Sequence, residues 1–203
     1  MNCYVICGSN VRKFPTFMNI LCICGSLRRD SYNAIVARTL PILAPTGMEI
    51  TAAPSFRTIP HYDADFQQEN GFPAEVLALG DAVRKADGVI IVTPEYNYSV
   101  PGALKNALDW VSRLPNQPFV HKPVAIQTAA TGPVGGARAQ YHLRQIMVFL
   151  EALVFNKPEI FINNVKTKVD ETASELIDIP TRDIVKQQLA AFATFSERLA
   201  PRN

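Results

Sequence analysis

The residues best equipped for chemistry in this chain stand close together, in Gly25-Ser26-Leu27-Arg28-Arg29-Asp30-Ser31-Tyr32-Asn33. Ser26 and Ser31 supply hydroxyls, Asn33 an amide and Arg28 a guanidinium, a set suited to an anion with several acceptor oxygens. An apolar run precedes them and a helical pattern follows, and a helix N-terminus adds backbone N–H groups and a favourable dipole. A terminal phosphate matches this set. A pyrophosphate calls for closer backbone approach and more glycine than Gly25 alone provides. The plainer use of the same residues is Ser31 as an N-cap and Arg28 as a solvated surface charge.

Two further loops carry the means to hold a flat ring. Thr93-Pro94-Glu95-Tyr96-Asn97-Tyr98-Ser99-Val100-Pro101 places two tyrosines and an amide between prolines. Prolines fix a loop before binding and so lower the ordering cost of capture. Tyr96 and Tyr98 offer flat apolar surface with a polar tip. Ala129-Ala130-Thr131-Gly132-Pro133-Val134-Gly135-Gly136 has little side chain, so a planar group could lie against its backbone.

The elements that must carry these loops alternate along the chain. Continuous apolar runs predict buried strands at 20–24, 88–93 and 123–128, with further strands at 49–53 and 159–162. Helical periodicity predicts helices at 34–43, 73–85, 101–111, 137–154 and 180–199, the third with a proline in its first turn. Residues 54–71 read as a long loop, too long for a mere connector. Strands separated by helices imply a parallel sheet covered on both faces, and right-handed crossovers leave few topologies. The simplest is a three-layer α/β/α, doubly wound, five-stranded sheet of order 2-1-3-4-5. Its ligand site lies at the strand C-terminal ends, where the three loops meet.

Composition removes several classes of function. The chain has 203 residues, enough for one α/β domain, and a formal net charge of +2, too small to imply nucleic acid or an anionic membrane. No apolar run reaches membrane-spanning length. Cys3, Cys7, Cys22 and Cys24 lack a second cluster with ligand spacing, so they read as small apolar residues in a reducing cytoplasm rather than as disulfides or a metal site. His61, His121 and His142 are scattered. Residues 1–17 loosely echo the segment that follows, but no helical pattern continues from them before Pro15. They read as a disordered or non-essential leader, with 18–203 forming a single domain.

A phosphate loop with two ring-binding loops has the parts for flavin mononucleotide (FMN). A dinucleotide would call for an acidic residue after the second strand, where Thr51-Ala52-Ala53 stands. Here the chain resembles the NADPH-dependent FMN reductase family of flavodoxin-like proteins, and within it the bacterial quinone and chromate reductases. The likeness runs from about residue 19 to 199. A GSxRxxSxN pattern is met at residues 25–33 and a PEYNxSxPGxLKNxxDW pattern at 94–110, and residues 135–140 and 143–145 also match.

The resemblance implies the flavodoxin-like fold and a set of roles. Gly25, Ser26, Leu27, Arg28, Ser31, Tyr32 and Asn33 would hold the FMN phosphate. Pro94, Glu95, Tyr96, Asn97 and Tyr98 would line the ribityl chain and one edge of the ring, with Ala130, Thr131 and Gly132 at the other edge. Tyr98, Arg138, Tyr141 and Glu159 match a polar network between dimers, and the relatives are homodimers or homotetramers. NAD(P)H would be co-substrate, and quinones and soluble oxidants such as chromate the acceptors, in a ping-pong cycle. The hydride is then carried by FMN itself, and no side chain is assigned to catalysis. A flavodoxin-like electron carrier and a flavin-binding sensor are the competing functions. Carriers tend to be acidic and this chain is slightly basic. The stripe of apolar residues expected along the helix at 137–154 is wider than one sheet face needs, which favours an oligomer.

Overall fold

Uninterrupted β-branched and aliphatic runs form the centre of the sheet in the computed structural model, which describes residues 17–199. Strand β3 (Gly88–Thr93) and strand β4 (Pro123–Ala129) are buried at every position. Beside them lie β1 (Met18–Cys24) and β2 (Met48–Ala52), and all pairings are parallel, in the order β2-β1-β3-β4. The predicted doubly wound order therefore holds. Strands fully buried on both faces have no reason to alternate polar and apolar residues, which is why they read as continuous runs.

The fifth position differs from the expectation. Two short strands share the edge of β4: β5 (Leu153–Val154) pairs with its start, and β6 (Ile160–Ile162) with its end. The long helix predicted for 137–154 accordingly stops early, as α5 in chain order (Ala137–Phe149). Glu151 takes a left-handed φ of +52°, and the chain turns so that Leu153 N–H donates to the Lys122 carbonyl at 2.9 Å. Apolar periodicity continued past this break because Leu153 and Val154 face the sheet as strand residues.

Helices cover both faces. On one lie α1 (Tyr32–Leu43) and α6 (Ile179–Leu199), whose Ile35, Leu40, Val185 and Phe192 pack on Ile20, Ile90 and Val92. On the other lie α3 (Ala74–Lys85), α4 (Gly102–Val111) and α5, packed on Ile23, Val89, Ile91 and Ile126. The loop expected over 54–71 holds a short helix, α2 (Ala64–Asn70). Asp63 caps it, accepting from Asp65 N–H at 2.9 Å, and Gly71 closes it at a φ of +74°. A hairpin of β7 (Val169–Asp170) and β8 (Glu175–Leu176), also unforeseen, packs on α1 through the Leu176 N–H, which donates to Thr39 Oγ1 at 3.0 Å. The leader expected over residues 1–17 lies, apart from Phe17, outside the described residues. Among the described residues no helix is long and apolar enough to cross a membrane.

Candidate cofactor site

Parallel pairing brings the C-terminal ends of β1, β3 and β4 level, with Cys24 beside Val92 and Thr93 beside Thr128. The three predicted loops therefore leave the sheet at one end, side by side. The first is pressed against β3: Gly25 N–H donates to the Val92 carbonyl at 2.8 Å. A Cβ at Gly25 would come within 2.3 Å of Thr93 Oγ1, so no larger residue fits without displacing β3.

Within that loop the expected residues form a cradle. Ser31 is the N-cap of α1, its Oγ accepting from Ala34 N–H at 3.0 Å, and it is nearly buried at 5% exposure. Ser26 is also buried, and its Oγ accepts from Arg28 N–H at 3.4 Å. The first turn of α1 has no acidic residue. Its leading N–H groups lack intrahelical acceptors by the geometry of a helix start. The Arg28 guanidinium is exposed beside the cradle, 5.8 Å from the Tyr32 ring centroid. The Tyr32 hydroxyl donates to Glu171 Oε1 at 3.2 Å, and partial burial together with that carboxylate holds the phenol above its usual range. Buried hydroxyls, a helix N-terminus without acids and a free-standing guanidinium fit a dianionic phosphate.

Asn33 has a different occupation. Its Nδ2 donates to the Ala129 carbonyl at 2.9 Å and its Oδ1 accepts from Ala129 N–H at 3.2 Å. This buried, two-way bond crosses over β3 and ties the start of α1 to the end of β4. Asn33 thus sets the spacing between the first loop and the glycine-rich loop.

The second loop is a tight turn. Tyr96 and Ser99 exchange both backbone hydrogen bonds, at 2.9 and 3.0 Å, around Asn97 and Tyr98. Both central residues have positive φ, +50° and +66°. Two consecutive left-handed residues match a type I′ turn, here without glycine. Tyr98 is 65% exposed, and the Arg138 guanidinium lies 4.1 Å from its ring centroid. Arg138 also donates to Glu95 Oε1 at 3.2 Å, while Glu95 Oε2 accepts from Ala139 N–H at 3.2 Å. Glu95 is the carboxylate at the N-terminal turn of α5, whose own N-cap, Gly136, has no side chain to offer. Its charge is committed to joining the second loop to the first turn of α5, which follows the third loop. His142 adds another tie, its Nδ1 3.0 Å from Ser99 Oγ.

The third loop is fastened from behind. Ala130 N–H donates to the Ile162 carbonyl at 3.0 Å, and the Ala130 carbonyl accepts from Val165 N–H at 3.2 Å. Both backbone groups of Ala130 are therefore engaged, and Thr131 and Gly132 form the exposed part of the loop. Gly135 and Gly136 take φ of +65° and +84°, and a Cβ on Gly135 would lie 2.8 Å from the Phe161 carbonyl carbon. Of the expected inter-dimer residues, Arg138 stacks on Tyr98, and the Tyr141 hydroxyl donates to Glu159 Oε1 at 3.1 Å, within one chain.

The cysteines in the described residues are unpaired, and burial pushes the Cys22 thiol up to about 12 and raises that of Cys24. Neither is a nucleophile at neutral pH. Sequence reasoning missed Thr93, whose side chain enforces glycine at 25, and Glu171 of the hairpin. A turn signal for the hairpin was present in Asp170, whose Oδ1 accepts from Thr172 and Ala173 N–H at 2.8 and 2.9 Å.

Known proteins place this arrangement. The family described as NADPH-dependent FMN reductase matches residues 18–167. The chain is 58% identical over 182 residues to a quinone reductase of Escherichia coli (strain K12), covering 90% of this chain and 97% of that one. It is 44% identical over 182 residues, with the same coverage of each chain, to an NAD(P)H-dependent FMN reductase of Pseudomonas aeruginosa. Among solved structures, FerB, a flavoenzyme NAD(P)H:(acceptor) oxidoreductase from Paracoccus denitrificans, matches with a TM-score of 0.78 at 29% identity, over 89% of this chain and 98% of that one.

Proposed function

The chain belongs to the NADPH-dependent FMN reductase family and is an oxidoreductase with FMN as cofactor and NAD(P)H as co-substrate, and from that premise we propose that it reduces quinones and soluble oxidants such as chromate by a ping-pong cycle. When bound, FMN would supply the two-electron chemistry between nicotinamide and acceptor. The protein's part is to hold and orient. Ser26, Arg28, Ser31 and the first N–H groups of α1 bind the phosphate, with Gly25, Leu27, Tyr32 and Asn33 shaping the cradle. Pro94 to Tyr98 and Ala130 to Gly132 bracket the ring.

One observation carries the reading: three loops of complementary chemistry are held in fixed register at one sheet end by the Asn33–Ala129 and Glu95–Ala139 bonds. Ping-pong order follows if a flavin bracketed by these loops keeps one face for donor and acceptor in turn. Initial rates with NADPH and menadione should give parallel double-reciprocal lines, and intersecting lines would exclude the cycle. An electron carrier or sensor would leave NADPH unoxidised in the same assay. Chromate reduction is tested by loss of its absorbance under nitrogen.

We assign the active form to a homodimer or homotetramer. Val148 and Phe149 at the end of α5 are 75% and 73% exposed, and Tyr141 is 53% exposed on the same helix. Apolar side chains clustered on one helix are costly to leave in water. Sedimentation giving only monomer would remove this assignment. Unpaired thiols at Cys22 and Cys24 support a cytoplasmic location, which cell fractionation tests.

A further inference from the structure

A cavity of about 440 Å³ lies between α1, β2 and the chain that follows β2. It sits on the β2 side of the first loop, and of the residues assigned to FMN only Ser26 and Leu27 border it. Its size falls within the ~300–1,000 Å³ of small-molecule sites. Short side chains create the space: Ala34 and Ala37 on α1 and Ala52 on β2 line it beside Ile50.

Two guanidiniums border this apolar slot, Arg38 from α1 and Arg57 from the loop after β2. Both side chains are exposed, and both bond only to neutral acceptors. Arg38 donates to Ser174 Oγ at 2.9 Å and to the Arg29 carbonyl at 3.1 Å. Arg57 donates to the Leu27 carbonyl. Among the described residues neither has a carboxylate within 4.0 Å. An uncharged hydrocarbon would leave both cations unanswered, and a bare inorganic anion would leave the apolar walls wet.

We propose that this cavity binds a compact aromatic carboxylate, its ring in the slot between α1 and β2 and its carboxylate held by Arg38 and Arg57. Guanidiniums match the planar carboxylate geometry and form the stronger, charge-assisted class of hydrogen bond. The site meets the phosphate loop only at Ser26 and Leu27 and includes none of the residues assigned to the flavin ring, so occupation does not require FMN to leave.

The test titrates FMN-loaded protein with 2-naphthoate and with its neutral isostere 2-naphthamide, by calorimetry and methyl NMR. Naphthoate should bind saturably, one per chain, at least about tenfold more tightly than the amide. The methyls of Ala37 and Ile50 should shift while that of Ala130 does not. Arg38→Gln and Arg57→Gln should each weaken binding about tenfold. Ala37→Phe should abolish binding and leave the spectrum of bound flavin unchanged. Absence of saturable binding, equal affinity for the amide, or shifts confined to the flavin cleft overturns the proposal. If Ala37→Phe does not fold, the arginine variants decide.

Discussion

Tyr98 holds a φ of +66° that favours glycine, and magnitudes show that folding does not demand a tyrosine there. The left-handed region costs an ordinary residue roughly 1–2 kcal/mol. An exposed cation–π contact such as that with Arg138 returns only about 0.5–1 kcal/mol. Tyr98→Gly should therefore leave the unfolding free energy from urea denaturation within about 1 kcal/mol of the parent or slightly above it, and a larger loss would make the ring a folding residue. The tyrosine is displayed for something outside the monomer's own stability. Arg28 makes the same case, since its guanidinium has no structural task beyond its contact with Tyr32. A charge-assisted bond to phosphate is worth roughly 1.5–3 kcal/mol, so Arg28→Ala should weaken FMN binding at least about tenfold with the melting temperature of the apoprotein unchanged. Fluorescence titration with FMN measures the first effect and thermal unfolding the second. Of the site's side chains, the hydroxyls and the guanidinium proposed to meet the phosphate were readable from residue type. Those that face the protein were not: nothing local in sequence says that Asn33 will bond to Ala129, 96 residues away.

Helices and strands with strong, uninterrupted periodicity were legible, and misreadings arose where tertiary context chose between options. Residues 153–154 carry an apolar pattern that suits helix or strand, and the vacant edge of β4 decides for strand. Helix α2 is only seven residues long, and its signals were its caps, Asp63 and Gly71, rather than any apolar stripe. The stretch before it, read as loop, is pinned by α4. Trp110 Nε1 donates to the Pro60 carbonyl at 2.8 Å, and Asn106 donates to the same oxygen at 2.9 Å while accepting from Tyr62 N–H at 2.8 Å. Tyr62, Phe66 and Phe72 set their rings edge-on to the buried indole at 5.0 to 6.3 Å. This explains structurally the asparagine and tryptophan of the second sequence pattern. Trp110→Ala should cost about 3–5 kcal/mol in chemical denaturation and release residues 54–72 to protease. An unchanged cleavage pattern there would mean the loop is held by other contacts.

The molecule as assembled distributes its charge so that acid loosens it at a definable place. Glu159 joins β6 to α5, and the Lys157 ammonium bonded at 2.7 Å, with the Tyr141 hydroxyl and Arg144, holds its carboxyl below the usual range. Asp178 is lowered likewise, by the Thr181 hydroxyl and N–H at the start of α6. A carboxyl depressed in the folded state adds stability above its unfolded pKa of about 4, and that stability is lost as pH falls through the lower folded value. Stability should thus be level above about pH 5 and decline below about pH 4. Glu159→Gln should flatten the decline, and an unaltered acid profile would assign it to other groups.

The divided flank of β4 has a consequence for how this protein ages. A long unpaired strand edge is a template on which further chains can zip, the first step toward a fibril. Here that flank offers one docking strip of two residues and another of three, separated by five residues outside any strand, of which Phe155 still donates its N–H to the Val124 carbonyl at 2.8 Å. Ordered stacking from this side has no continuous rail to follow. Recruitment into cross-β deposits would have to begin at the opposite border, along β2.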